Sequence, residues 1–366
     1  MKITFPHMGN MHIAIKALME GLKLEVVPPP PISKRTFELG IKNSPEFACM
    51  PLKINLGNFI EALENGADTI VMAGGWGPCR FGYYAQVERD ILEDLGYKFK
   101  MIVLESPDSK IYDLTNQLKS LGKNVSLWEA IKAIKYGWSK LNALELVERQ
   151  FDYYLPRVWD KNRVEKINDE AAVKIDEAAN KTEAQEAALE AITEMRLLDL
   201  KMHQPLKIGL VGEIYTLLEP AANYDICRLL GRMDVEVSRS TYLTEWLNDH
   251  LMKGWVKKSN RKQLIAVAKP YLNYEVGGHG LETVGHTVQY ARMKHDGIIQ
   301  IGPLTCMPEI VAQSIIPSIS EREDIPCMTL WFDELSGTAG LNTRLEAFAD
   351  MVKRQKIRTN NYMKEA

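Results

Sequence analysis

The sequence predicts an α/β protein of two lobes, each built on a parallel sheet, joined by a helical insert. Three observations carry this. Short apolar runs alternate with helix-spaced segments toward both ends of the chain, the pattern of βαβ units. The stretch between them has a different composition, rich in Ala, Glu and Lys. And 366 residues, of which 46% are hydrophobic and 25% charged, suffice for about two ordinary globular domains.

In the first lobe, residues 2–5, 24–27, 69–73 and 100–104 read as buried strands, with helical spacing over residues 55–65 and 84–95. The second lobe repeats the pattern. Its strands are KIGLVGE from Lys207, residues 235–237, GIIQIG from Gly297 and CMTLWFD from Cys327. Between the lobes, Ser126 and Glu129 have the spacing of a capping box, and no Gly or Pro occurs from Arg163 to Gln204. Amphipathic helices are expected there, with a break near Asn180 and a new start capped by Thr182 and Gln185. The domain boundaries that follow are residues 1–125, 126–204 and 205–366. Apolar positions in the helical middle, Ala187, Ala188, Leu189, Ile192, Met195 and Leu198, suggest either a face for a second subunit or packing on the chain's own lobes.

Charge and hydropathy exclude several function classes. Lys and Arg number 45 against 48 Asp and Glu, a net charge of −3, so no basic field exists to hold a nucleic-acid backbone. No apolar run reaches the roughly 18 residues a membrane helix needs, and MKITFPHMGN lacks the basic and apolar regions of a signal peptide. A cytoplasmic protein that binds neither nucleic acid nor membrane is the expectation.

The five cysteines, Cys49, Cys79, Cys227, Cys306 and Cys327, are too few and too scattered for a disulfide framework, and none form a CxxC pair. Any metal they hold must be gathered from distant parts of the chain. Cys49 lies in Glu46-Phe47-Ala48-Cys49-Met50-Pro51 and Cys306 in Pro303-Leu304-Thr305-Cys306-Met307-Pro308, an internal echo that makes the two lobes look duplicated at this point. A proline two residues on suits the first turn of a helix. Each cysteine is then expected at or beside an N-cap, where backbone N–H groups and the helix dipole favour a thiolate. Cys79 and Cys306 both fall just past the end of an apolar strand, and ligands of open α/β sheets bind at that edge. Cys49, Cys79 and Cys306 are thus candidate ligands meeting in a crevice between the lobes. Cys227, in a helical pattern, and Cys327, at the start of a strand, read as core residues.

Other motifs carry less. Gly74-Gly75-Trp76-Gly77 is neither GxGxxG nor a Walker A loop, and residues 333–340 read as a turn ahead of a helix over 342–353. His279 and His286 flank Glu282 at a helical separation, which offers a polar contact to substrate or support for a cluster.

The run Gly277-Gly278-His279-Gly280, then Glu282-Thr283-Val284-Gly285, then residues 296–312 through Gly302-Pro303-Leu304-Thr305-Cys306-Met307-Pro308-Glu309 resembles the 2-hydroxyacyl-CoA dehydratase superfamily, including its activase-related and double-cubane relatives. Gly212-Glu213-Ile214-Tyr215 and residues 45–51 and 74–79 look like further motifs of that group. The resemblance implies Rossmann-like lobes with an iron–sulfur cluster between them, liganded by Cys49, Cys79 and Cys306. It implies a [4Fe-4S] cubane, or an [8Fe-9S] double cubane if a second subunit adds ligands. Three thiolates leave one iron of a cubane open to a small molecule. The partners implied are an activator ATPase with its own iron–sulfur cluster, a related subunit in a homo- or hetero-oligomer, and a small-molecule substrate. The function implied is an iron–sulfur component of an ATP-dependent low-potential reductase or dehydratase-like system. The alternatives are a non-catalytic scaffold or assembly partner and a nucleotide-binding activase.

Overall fold

The computed structural model describes residues 1–75, 79–104, 117, 121–122, 125–250 and 259–365, the last seven of these as backbone only. It contains two four-stranded, all-parallel sheets, each covered by helices, which makes the chain an α/β protein with two Rossmann-like lobes.

The N-terminal lobe runs β1 (Lys2–Thr4), α1 (Met11–Gly21), β2 (Glu25–Val26), α2 (Lys34–Asn43), α3 (Met50–Glu64), β3 (Thr69–Ala73), α4 (Tyr84–Asp94) and β4 (Lys100–Leu104), with strand order β2-β1-β3-β4. Side chains alternate across this sheet, as strand geometry requires. Ile3, Phe5 and Val71 pack with Met19 and Leu22 beside α1. Ile70 and Met72 face the other way, onto Leu56 and Phe59 of α3 and Leu92 of α4. Helix α3 has no exposed face over most of its length, because α2 closes over its outer side. Two glycines permit that approach. A Cβ on Gly40 would stand 1.8 Å from the Lys53 carbonyl oxygen, and one on Gly57 would stand 1.9 Å from that of Thr36.

A long helical segment follows: α5 (Leu127–Tyr154), α6 (Lys161–Glu177) and α7 (Lys181–Arg196). The capping box is present, with the Ser126 N–H donating to Glu129 Oε2 at 2.8 Å and the Glu129 N–H to Ser126 Oγ at 3.2 Å. The break falls near Asn180 as expected, but the cap is not built from Thr182 and Gln185. Asn180 Oδ1 itself accepts from the Thr182 and Glu183 N–H groups, and Glu183 returns to the Ala179 N–H. An Asn side chain reaches the orphan amides two and three residues on, which leaves Thr182 inside the first turn. Of the six positions, Ala188, Ile192 and Met195 are buried within the chain, Ala187 and Leu198 are half-buried, and Leu189 is exposed.

The C-terminal part of the chain runs β5 (Leu206–Gly212), α8 (Ile214–Leu218), α9 (Pro220–Asn223), α10 (Ile226–Arg232), β6 (Val235–Arg239), α11 (Leu243–His250), α12 (Arg261–Ala268), α13 (Gly280–Arg292), β7 (Gly297–Pro303), α14 (Met307–Arg322), β8 (Cys327–Phe332) and α15 (Thr338–Glu365), and its sheet, that of the C-terminal lobe, has the order β6-β5-β7-β8. Ile208, Leu210, Ile299 and Ile301 pack on Ile226 and Leu230 of α10 and on Leu345 and Phe348 of α15. Val211 and Ile298 face Tyr290 of α13 on the opposite side. The compact units interleave along the chain: one comprises Met1–Val147, Glu170–Ala191 and Tyr242–Ser259, the other Glu148–Asp169, Ile192–Thr241 and Asn260–Ala366. Among the described residues no helix is long and apolar enough to cross a membrane.

Both sheets have the same order, with the first and third strands paired at the centre. The connections from these two strands leave in opposite directions, so the carboxyl ends of β1 and β3, and of β5 and β7, flank a topological switch point in each lobe. The α2–α3 crossing allows a direct test of the packing: Gly40→Ala and Gly57→Ala are each expected to destabilise the protein by about 3 kcal/mol, since backbone must move to admit the methyl group. Chemical denaturation of the two variants against wild type measures this.

Candidate functional site

In the N-terminal lobe, two of the predicted ligands lie on segments that the fold ties together. Cys49 is the N-cap of α3, with Pro51 in the first turn, and it is buried. Cys79 opens the 3₁₀ turn Arg80–Tyr83 that leads from the end of β3 into α4. The Tyr84 hydroxyl at the start of α4 hydrogen-bonds with Cys49 Sγ. Arg80 Nη1 donates to the Phe47 carbonyl oxygen at 3.1 Å. Thus the residues just after Cys79 hold the segment just before Cys49. Trp76, Gly77 and Pro78 lie outside the described residues, so the glycine-rich turn is visible only as far as Gly75.

In the C-terminal lobe, Cys306 is the N-cap of α14, again with proline in the first turn. Before it, Thr305 has φ of +70°. A β-branched residue in the left-handed region is a strained turn, and here it swings the chain from the end of β7 into α14. The Cys306 N–H donates to the Pro303 carbonyl oxygen at 3.1 Å and closes that turn. Cys306 belongs to the other compact unit from Cys49 and Cys79.

The topology corrects the meaning of the Cys-Met-Pro echo. Cys306 follows the third strand of its sheet, whereas Cys49 begins the helix that leads into the third strand. The counterpart of Cys306 is therefore Cys79, and the counterpart of Cys49 is His279, which caps α13 ahead of β7. A shared local motif reports a shared helix start, because proline in the first turn serves any helix; it does not report a shared place in the sheet.

The remaining candidates are as follows. Cys227 lies in α10 against the apolar core, where burial holds its thiol well above the ordinary range. Cys327 begins β8, and burial pushes its thiol up to about 12. Both are inert thiols at neutral pH. His286 lies one and a half turns into α13, its Nδ1 3.2 Å from Gln289 Oε1. Glu282 of the same helix pairs with Arg261, Nε to Oε1 at 3.1 Å. The 333–340 segment is a turn, with Asp333 Oδ1 accepting from Ser336 Oγ and the Leu335 N–H, and α15 starts at Thr338.

Three features were not anticipated from the sequence. His7 and His12 stack at the end of β1, ring centroids 4.4 Å apart, across the switch point from the β3 side. Glu88 on α4 is fully buried, its carboxyl oxygens make no hydrogen bond among the described residues, and desolvation pushes its pKa up to about 8; the Asn55 amide on α3 opposes that rise. Glu309 in the first turn of α14 is also fully buried. Thr283 Oγ1 donates to its Oε1 and Gln300 Nε2 to its Oε2, both at 3.0 Å, and Thr329 Oγ1 in turn donates to Gln300 Oε1. Those donors favour the charged form, yet burial outweighs them and the nearby Glu213 and Glu282 add to it, again raising the pKa to about 8. A Glu at a helix start or in mid-helix is ordinarily solvated. The one signal was the i, i+4 spacing of Tyr84, Glu88 and Leu92, which puts Glu88 on the apolar stripe.

Among the described residues, no three His, Cys, Asp or Glu side chains come together closely enough to hold a metal ion. No protein-family model and no curated protein matches the chain. The buried acids make a testable statement about stability. Each has a folded pKa of about 8 against 4.5 for the free side chain, so each is uncharged in both states below pH 4.5. As pH rises from there to about 8, only the unfolded chain sheds the proton, and stability is lost. Glu88→Gln and Glu309→Gln are therefore expected to match wild type in Tm near pH 4.5 and to exceed it by an amount that grows up to about pH 8. Thermal unfolding across that range reads the difference.

Proposed function

We propose that this chain is the iron–sulfur component of a low-potential reductase or 2-hydroxyacyl-CoA dehydratase-like system, with Cys49, Cys79 and Cys306 as cluster ligands and a separate activator ATPase as electron donor. One observation carries the reading. All three cysteines begin helical turns, and Cys79 and Cys306 do so past the carboxyl ends of topologically equivalent strands, whereas Cys227 and Cys327 sit in core positions with raised thiol pKa values.

The donor set suits such a group. Soft sulfur ligands select iron–sulfur clusters, zinc or copper(I) over hard cations. Two of the three come from segments that Tyr84 and Arg80 bind together. Held by three thiolates, a [4Fe-4S] cluster supplies single electrons at low potential and one iron open to a small molecule. The protein's own part is to fix the sulfurs and tune them. The Tyr84 hydroxyl bonds the Cys49 sulfur directly, and hydrogen bonds to ligand sulfur are among the levers that set a cluster's potential. Arg80 anchors the Phe47 carbonyl and so fixes the approach to Cys49. A cytoplasmic location and an oligomer with a related subunit belong to the same proposal.

Anaerobic purification tests it. The expected protein is brown, with about four iron and four sulfide per chain, or about twice that for a double cubane. Cys49→Ala, Cys79→Ala and Cys306→Ala should each lose most of the iron, while Cys227→Ala and Cys327→Ala keep it. A colourless, iron-free chain isolated without oxygen would remove the proposal and leave the scaffold reading.

A further inference from the structure

The two lobes share more than strand order. In each, a helix leads into the third strand and another leaves it: α3 and α4 around β3, α13 and α14 around β7. Each departing helix carries one fully buried glutamic acid, Glu88 on α4 and Glu309 on α14. In both cases a polar side chain of the helix leading into the strand acts on it, Asn55 on α3 and Thr283 on α13. So in each lobe the third strand is followed by a cysteine and then by a helix that carries a buried acid: Cys79 and Glu88 in one lobe, Cys306 and Glu309 in the other.

Burying a carboxyl group without a cation is costly, and a leucine or glutamine would occupy either position more cheaply. Among the described residues, the side chains that act on the two acids are polar or acidic. Glu88 is opposed by Asn55, and Tyr84, which bonds Cys49, lies one turn earlier on its own helix. Glu309 is met by Gln300 from β7, by Thr283 and Glu282 from α13, and by Glu213 from the turn after β5. Further negative charge in these surroundings raises the affinity of each acid for a proton.

We propose that Glu88 and Glu309 are a matched pair of proton-holding residues, one on the helix that follows each third-strand cysteine, that keep fixed negative charge away from those cysteines and couple electron arrival there to proton uptake. The coupling half of this inference rests on the reading that the cysteines hold a redox group. The balance is one electron from an external low-potential donor onto that group and one proton from solvent onto an ionised carboxylate; oxidation returns the electron to the acceptor and the proton to solvent. While an acid is already protonated, the electron arrives without meeting its charge. Once it is ionised, the electron brings a proton with it. Both are positioning residues, acting on the redox group through their charge.

Two measurements test this. Infrared difference spectra of the iron-free chain, titrated from pH about 6 to about 10, should show carboxylic-acid carbonyl bands that disappear near pH 8, with Glu88→Gln and Glu309→Gln each removing one band. Redox titration of the anaerobic holoprotein with dithionite should give a midpoint nearly independent of pH below about 8 and falling with pH above it. Each single variant should lose part of that dependence and Glu88→Gln/Glu309→Gln all of it. Absence of acid bands at neutral pH, or an unchanged pH dependence in the double variant, overturns the proposal. An iron-free protein that still shows both bands fails the redox reading while leaving the acids as proton-holding groups.

Discussion

The placement of the candidate ligands depends on one constraint of parallel sheets. A strand buried on both faces must deliver the chain to a helix at its carboxyl end, because that is the only direction in which a right-handed crossover can return it to the sheet. In the order β2-β1-β3-β4, and again in β6-β5-β7-β8, the first and third strands feed helices that depart in opposite directions. The turn after the third strand is therefore forced to the surface beside a helix start. Cys79 and Cys306 occupy that turn, and the strain at Thr305 is the local consequence of making it in so few residues.

Each lobe holds buried polar side chains between the helices that lead into and out of its third strand. Glu88, Asn55, Glu309, Gln300 and Thr283 are all buried, and the two acids retain their protons at neutral pH because desolvation outweighs the polar groups that favour ionisation. Such side chains rigidify helix starts through directional bonds without adding charge. Thr283, Gln300 and Thr329 join α13, β7 and β8 to the first turn of α14, so the N-cap that carries Cys306 is fixed from three elements at once. In the N-terminal lobe the comparable fixing comes from Tyr84 within the core and from Arg80 at the surface.

What the sequence made legible was what local pattern encodes. The apolar runs located the strands to within a residue or two, and proline after Cys-Met identified two helix starts. The α2–α3 crossing was not legible, because Gly40 and Gly57 acquire their meaning only when two helices distant in register close on each other's carbonyls. The topological place of Cys49 was misjudged for a related reason: a capping motif is a property of about six residues, whereas equivalence within a sheet is a property of strand order. The buried acids escaped notice because a Glu at the third helical position ordinarily serves the helix dipole in solvent, and the stripe of Glu309 is set by Gln300 and Thr283, which only the fold brings to it.

The central claim is that the cysteines leading out of the third strands, together with Cys49, bind iron through sulfur. X-ray absorption at the iron edge of the anaerobically isolated protein addresses it most directly. The account predicts sulfur-dominated first-shell scattering with a short iron–iron vector, weakened in the Cys79 and Cys306 alanine variants alike and unchanged in the Cys327 variant. Iron coordinated by nitrogen and oxygen alone, or scattering unaffected by loss of Cys79 and Cys306, would contradict it.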